Sequence, residues 1–148
     1  MFDLTGRVAL ITGAASGIGA ATARVYAEAG ADLALAWYPP DGHDIEPVRK
    51  AAEKAGRRVV VAEVDVTKTA DVDALVAQAV SELGGMHIVV ANAGIARKVE
   101  LEDLDDEAWN KVVDVDLNGA WRCFRAALPH MQRAGYGRLI ATSSVAGT

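Results

Sequence analysis

The stretch Thr12-Gly13-Ala14-Ala15-Ser16-Gly17-Ile18-Gly19 has the residue types and spacing most suited to chemistry in this chain. It joins a short apolar run to a helical pattern. Glycines at such a junction do three things: they permit a tight turn, let backbone approach a pyrophosphate, and let the helix lie close to the sheet. The helix start then offers unpaired N–H groups and a positive dipole end to phosphate oxygens. A glycine-rich turn alone marks only a sharp bend. Set between a strand and an amphipathic helix, it reads as a dinucleotide cradle. The spacing is Gly-x-x-x-Gly-x-Gly.

The elements that must position this turn follow from periodicity. Apolar runs at Val8–Ile11, Leu33–Trp37, Val59–Ala62, His87–Ala91 and Arg138–Thr142 read as five strands. A helix from Gly17 to Ala29 is expected to bury Ile18, Ala21, Val25 and Ala29. Pro39-Pro40-Asp41-Gly42 closes the second strand with a turn. A second helix carries Val48, Ala51, Ala52 and Ala55. A third is expected to be capped by Thr69, with Val72, Leu75, Val76, Ala79, Val80 and Leu83 as its stripe. A long helix is expected from about Asp106 to Met131, with Leu117, Ala120, Trp121, Phe124, Leu128 and Met131 on one side and Pro129 kinking its end. Strands apolar on both faces and separated by helices predict α/β: a doubly wound parallel sheet of the Rossmann kind. Residues 1–148 then form one dinucleotide-binding domain that stops after the fifth strand.

Bulk composition agrees. Of 148 residues, 51% are hydrophobic and 24% charged, with a net charge of −5 and no basic cluster to suggest a nucleic-acid partner. The single cysteine, Cys123, excludes an internal disulfide and a Cys-based zinc site. His87 and His130 stand alone without ligand spacing, and the acidic run Glu100–Glu107 reads as a solvated loop, so no metal is expected. No signal peptide and no apolar run of membrane length, about 18 residues, is found, and a cytoplasmic protein is expected.

Thr12-Gly13-x-x-x-Gly17-Ile18-Gly19, Asp65-Val66, Asn92-Ala93-Gly94, Asn118 and Ser144 occur in the order of the short-chain dehydrogenase/reductase family, which the chain resembles from Gly6 to Thr148. It is similar to the 3-oxoacyl-carrier-protein reductase kind. The resemblance implies an NAD(P)-dependent oxidoreductase interconverting a carbonyl and an alcohol of a small-molecule substrate. It places the cofactor against Gly13, Ser16, Gly17, Ile18, Gly19, Trp37, Asp65, Val66, Asn92, Ala93 and Gly94. It gives Asp65 to the adenine amino group, with Val66 beside the ring. Asn92 stabilises the central sheet, and Gly94 leaves room for the ribose. Ser144 polarises the substrate oxygen and Asn118 anchors a relay water; Ser143 is the adjacent alternative, and Ser144 is preferred for its place relative to Gly147. The helix carrying Trp121 and Phe124 resembles the family's dimer-forming helix, which implies a homodimer or homotetramer.

Cofactor choice turns on the end of the second strand. An acid there favours NAD and a nearby Arg favours NADP. The chain has Trp37-Tyr38-Pro39-Pro40, with no acid, so the balance tilts slightly to NADP. The family's Tyr-x-x-x-Lys would fall about a dozen residues past Ser144. None of Tyr26, Tyr38 and Tyr136 replaces it, so these 148 residues alone are expected to be inactive. The alternative is a non-catalytic dinucleotide-binding or assembly module.

Overall fold

The computed structural model describes residues 3–96 and 100–144. Five parallel strands form one sheet in the order β3-β2-β1-β4-β5. They are β1 (Val8–Thr12), β2 (Asp32–Trp37), β3 (Val59–Glu63), β4 (Ile88–Ala91) and β5 (Arg138–Ala141). The helices between them are α1 (Gly17–Glu28), α2 (Glu46–Lys54), α3 (Thr69–Leu83), α4 (Asp106–Val112) and α5 (Gly119–Ala134). Val8 and Leu10 of β1 pack on one side with Val72, Leu75, Val76, Cys123 and Ala127 of α3 and α5. Ala9 and Ile11 pack on the other with Ala20, Ala23, Val48 and Ala52 of α1 and α2. The two cores explain why the strands read as continuous apolar runs rather than alternating ones. The chain builds outward from β1 to β3, then returns to place β4 on the other side of β1. Ligands bind at the carboxyl ends of the strands beside such a reversal.

The stripe expected on α3 is the buried one, with Val72, Leu75, Val76, Ala79 and Leu83 inside. The expected face of α1 is corrected. Ile18 and Val25 are 63% and 50% exposed, whereas Gly19, Ala20, Ala23 and Ala27 are buried. Small residues face the sheet because α1 lies too close to it for long ones. Thr69 is also corrected: it is the first helical residue, Lys68 precedes it as the cap position, and no side chain caps that end.

The long helix expected from Asp106 is interrupted. Val113–Asn118 is a π-helical segment between α4 and α5. Leu117, Trp121 and Leu128 remain exposed, while Gly119, Cys123, Ala127 and Met131 turn inward. Gly119 is buried because Val66 presses on it: a Cβ there would lie 2.9 Å from Val66 Cγ2. Pro129 is accommodated inside α5. None of the described helices is long and apolar enough to cross a membrane.

Candidate active site

The turn after β1 is built from backbone constraints. Gly13 and Gly17 hold positive φ angles of 62° and 51°, which side-chain-bearing residues adopt only under strain. A Cβ on Gly13 would lie 3.1 Å from Asn92 Nδ2, and one on Gly19 would meet the Gly13 carbonyl oxygen. A Cβ on Gly17, by contrast, would meet nothing within 4 Å. The turn is therefore walled on the Asn92 side and open outward. Ser16 precedes α1 in extended conformation, its side chain makes no cap bond, and the first turn holds no acid. The α1 N–H groups thus face no competing side-chain anion. Ile18 projects outward beside them.

Asn92 ties three strand ends together. Its Nδ2 donates to the Thr12 carbonyl at 3.1 Å and its Oδ1 accepts from the Thr142 hydroxyl at 3.0 Å. The carboxyl ends of β1, β4 and β5 are thereby held in register, and Ala93 and Gly94 follow directly. Ser143 and Ser144 come just beyond Thr142, at the same end of the sheet. Gly147, the reference point for Ser144 in the sequence motif, lies outside the described residues.

Past β3, the Asp65 carboxylate Oδ1 accepts from the Thr67 N–H and hydroxyl at 3.0 and 2.7 Å. Its Oδ2 lies 3.8 Å from Lys68 Nζ. Asp65 thus shapes a turn; a carboxylate retains further lone pairs for a ligand. It borders a cleft of about 630 Å³ with Tyr38, Pro39, Lys68, Asp71 and Leu75. Val66 is only 8% exposed, and its side chain joins the core. Trp37 packs against the α1–α2 side of the sheet, and its indole N–H donates to the His43 carbonyl at 2.8 Å. These partners fix Trp37 at the strand end and leave Tyr38 the more open of the two.

Asn118 sits at the end of the π segment, where Gly119 N–H reaches back to the Asp114 carbonyl. The Asn118 Nδ2 donates to Asp114 Oδ1 at 3.1 Å. The Arg122 guanidinium, and secondarily this amide, hold the Asp114 carboxyl below its ordinary range. Asp116 was not singled out from the sequence, yet its Oδ1 accepts the Ile95 N–H at 2.9 Å. It therefore reaches the loop after Gly94, which the Asn118 side chain does not do through any of these bonds. Thr12 stands in the sequence motif without a role of its own; at 2% exposure it is the buried polar residue among those described. The sequence shows both types, but regular helical periodicity misplaces Asp116 across a π segment.

An uncapped helix start, a glycine wall and a loop edge meet at the carboxyl ends of a parallel sheet. This is an arrangement for holding an extended anionic ligand. The short chain dehydrogenase family model matches residues 7–148, and the chain belongs to that family. It is 44% identical to cis-4-hydroxycyclohexanecarboxylate dehydrogenase of Sinomonas cyclohexanicum, over 95% of this chain and 56% of that protein. It is 39% identical to (-)-trans-carveol dehydrogenase of Rhodococcus erythropolis, over 99% of this chain and 57% of that protein. A crystal structure of a short chain dehydrogenase from Mycobacterium paratuberculosis bound to NAD superposes with a TM-score of 0.91 at 35% identity, covering 98% of this chain and 58% of that one. The chain thus spans a little over half the length of these relatives.

Proposed function

We propose that the protein carrying these residues is an NAD(P)-dependent oxidoreductase that interconverts a carbonyl and an alcohol by hydride transfer. The observation that carries the reading is the α1 start: no side chain caps it, and the turn before it is open at Gly17 and walled at Gly13 and Gly19. Gly13, Ser16, Gly17, Ile18 and Gly19 would hold the pyrophosphate, and Asn92, Ala93 and Gly94 the nicotinamide-side ribose. Asp65 and Val66 would border the adenine, with Trp37 at its ribose edge. The bound nicotinamide supplies or accepts the hydride. Ser144 hydrogen-bonds the substrate oxygen and polarises it, and Asn118 holds a relay water. β2 ends without an acid to oppose a 2′-phosphate, which leans the choice to NADP; the NAD-bound relative calls for testing NAD beside it.

Turnover is proposed for a protein of its relatives' length, and cofactor binding for these residues. Consumption of NADH and NADPH against a panel of ketones and aldehydes tests it. Ser144→Ala is expected to lower kcat by about a hundredfold with little change in cofactor affinity. Cofactor binding without turnover of any carbonyl would instead favour a non-catalytic module.

Self-association belongs to the same reading. Leu117, Trp121 and Leu128 are exposed along α5 and the segment before it, and Trp109 is exposed on α4. This apolar surface supports a homodimer or homotetramer. Sedimentation should show one, and Leu117→Glu should shift it toward monomer; a wild-type monomer would contradict it. A cytoplasmic setting is likewise part of the reading, supported by the single free cysteine, Cys123, which can form no internal disulfide.

A further inference from the structure

The loop after β3 and the π segment meet at one side chain. Arg122 Nη1 donates to the carbonyl oxygens of Val66 and Asp114, each at 3.2 Å. Its Nη2 donates to Asp114 Oδ1 at 2.7 Å, the oxygen that also accepts from Asn118. The Arg122 side chain is 13% exposed and that of Asp114 38%, so the guanidinium is sheltered while the carboxylate it pairs with stays partly open to water and salt. Behind them, Gly119 lies against Val66 closely enough to exclude a Cβ. On its other side the same loop is held by Asp71, whose carboxylate accepts the Asp65 N–H at 3.1 Å.

We propose that Arg122 is a positioning residue for the adenosine half of the dinucleotide. It rests on the reading of Asp65 and Val66 as the adenine border. The guanidinium fixes the Val66 carbonyl, and with it the Val66–Thr67 peptide whose N–H donates to Asp65 Oδ1, against a carboxylate on a different element. A planar fork spans a carbonyl on one segment and a carboxylate on another. A lysine ammonium is a single point and loses one of the two. The link also joins the adenosine border to Asn118, so the two halves of the site share one cation.

The test is calorimetric titration of the intact protein with NADH, NADPH and ADP-ribose, the last keeping the adenosine half and lacking only the nicotinamide. Arg122→Met is expected to weaken ADP-ribose by about tenfold. It should weaken the preferred dinucleotide by the same factor, because the loss falls on the shared half. Arg122→Lys should weaken both by about threefold, and it decides the matter where Arg122→Met does not fold. A loss confined to the intact dinucleotide, or folded variants that bind like wild type, would overturn the proposal. Failure of the functional reading looks different: the wild-type protein would bind none of the three, and the role of Arg122 would fall with it.

Discussion

The Thr12 hydroxyl oxygen accepts the backbone N–H of Asn92 at 3.0 Å, across 80 positions of sequence. It accepts the Ala93 N–H at 3.0 Å as well. One buried oxygen therefore pairs two donors where the loop leaves β4. Thr12→Val preserves shape and leaves both N–H groups without their acceptor, which should destabilise the protein by about 2 kcal/mol. Thr12→Ser keeps the oxygen and should lose about 1 kcal/mol, through its missing methyl. Urea unfolding of the two variants checks the order; a Val variant as stable as the Ser variant would contradict it.

Gly19 and Gly17 are two residues apart and should respond differently to alanine. Gly19→Ala drives a Cβ into the Gly13 carbonyl and to 2.7 Å from Asn92 Nδ2. Backbone must move, and the cradle moves with it. Cofactor affinity should fall more than about tenfold, beside an overpacking cost of about 1–3 kcal/mol. Gly17→Ala meets no protein atom within 4 Å and leaves the protein only the strain of its positive φ, about 1–2 kcal/mol; any loss of affinity comes from a Cβ on the side the pyrophosphate approaches. Titration with NADH and NADPH, together with thermal unfolding, separates the two. Unchanged affinity and stability in Gly19→Ala would show that contact with Asn92 and Gly13 is not what shapes the turn.

His87 makes stability depend on pH. Its Nδ1 accepts the Val8 N–H at 3.0 Å, which requires a neutral ring nitrogen. Burial first, and the charge of Arg7 second, hold the imidazole below its ordinary 6.5. The unfolded chain therefore takes up the proton at higher pH than the folded one. The contribution is complete above 6.5 and is lost as pH falls from there through the folded value. Thermal midpoints measured from about pH 8 down to about pH 5 should drop for wild type across that window. They should drop less for His87→Asn, which keeps an acceptor but does not titrate. Parallel curves would show that other groups govern the acid limb.

β1, β2 and β4 were legible because they are buried on both faces and announce themselves as Val-, Leu- and Ala-rich runs; β3 is part-buried and β5 exposed, and they were read from their apolar composition. The α3 stripe was legible for the converse reason: one face packs on the sheet and the other is wet. On α1 the rule that bulky residues go inside fails. Gly19 lies against Gly13 and Asn92, and Ala20, Ala23 and Ala27 share its buried face, which leaves Ile18 outside. The π segment was invisible to a period of 3.6, because the extra residue per turn rotates Asp114, Asp116 and Asn118 off their expected faces. The glycine turn could be read directly; the Arg122 and Asp116 bonds could not, since they depend on that rotation and on partners over 20 positions away.

The turn from Gly13 to Gly19 and the α1 start are proposed to hold a nicotinamide dinucleotide. Fluorescence titration of the protein with NADH and with NADPH tests it most directly. Saturable binding of at least one, with Kd between about 1 μM and 1 mM and abolished or much weakened in Gly19→Ala, is the predicted result. No binding of either, or binding that Gly19→Ala leaves untouched, would contradict it.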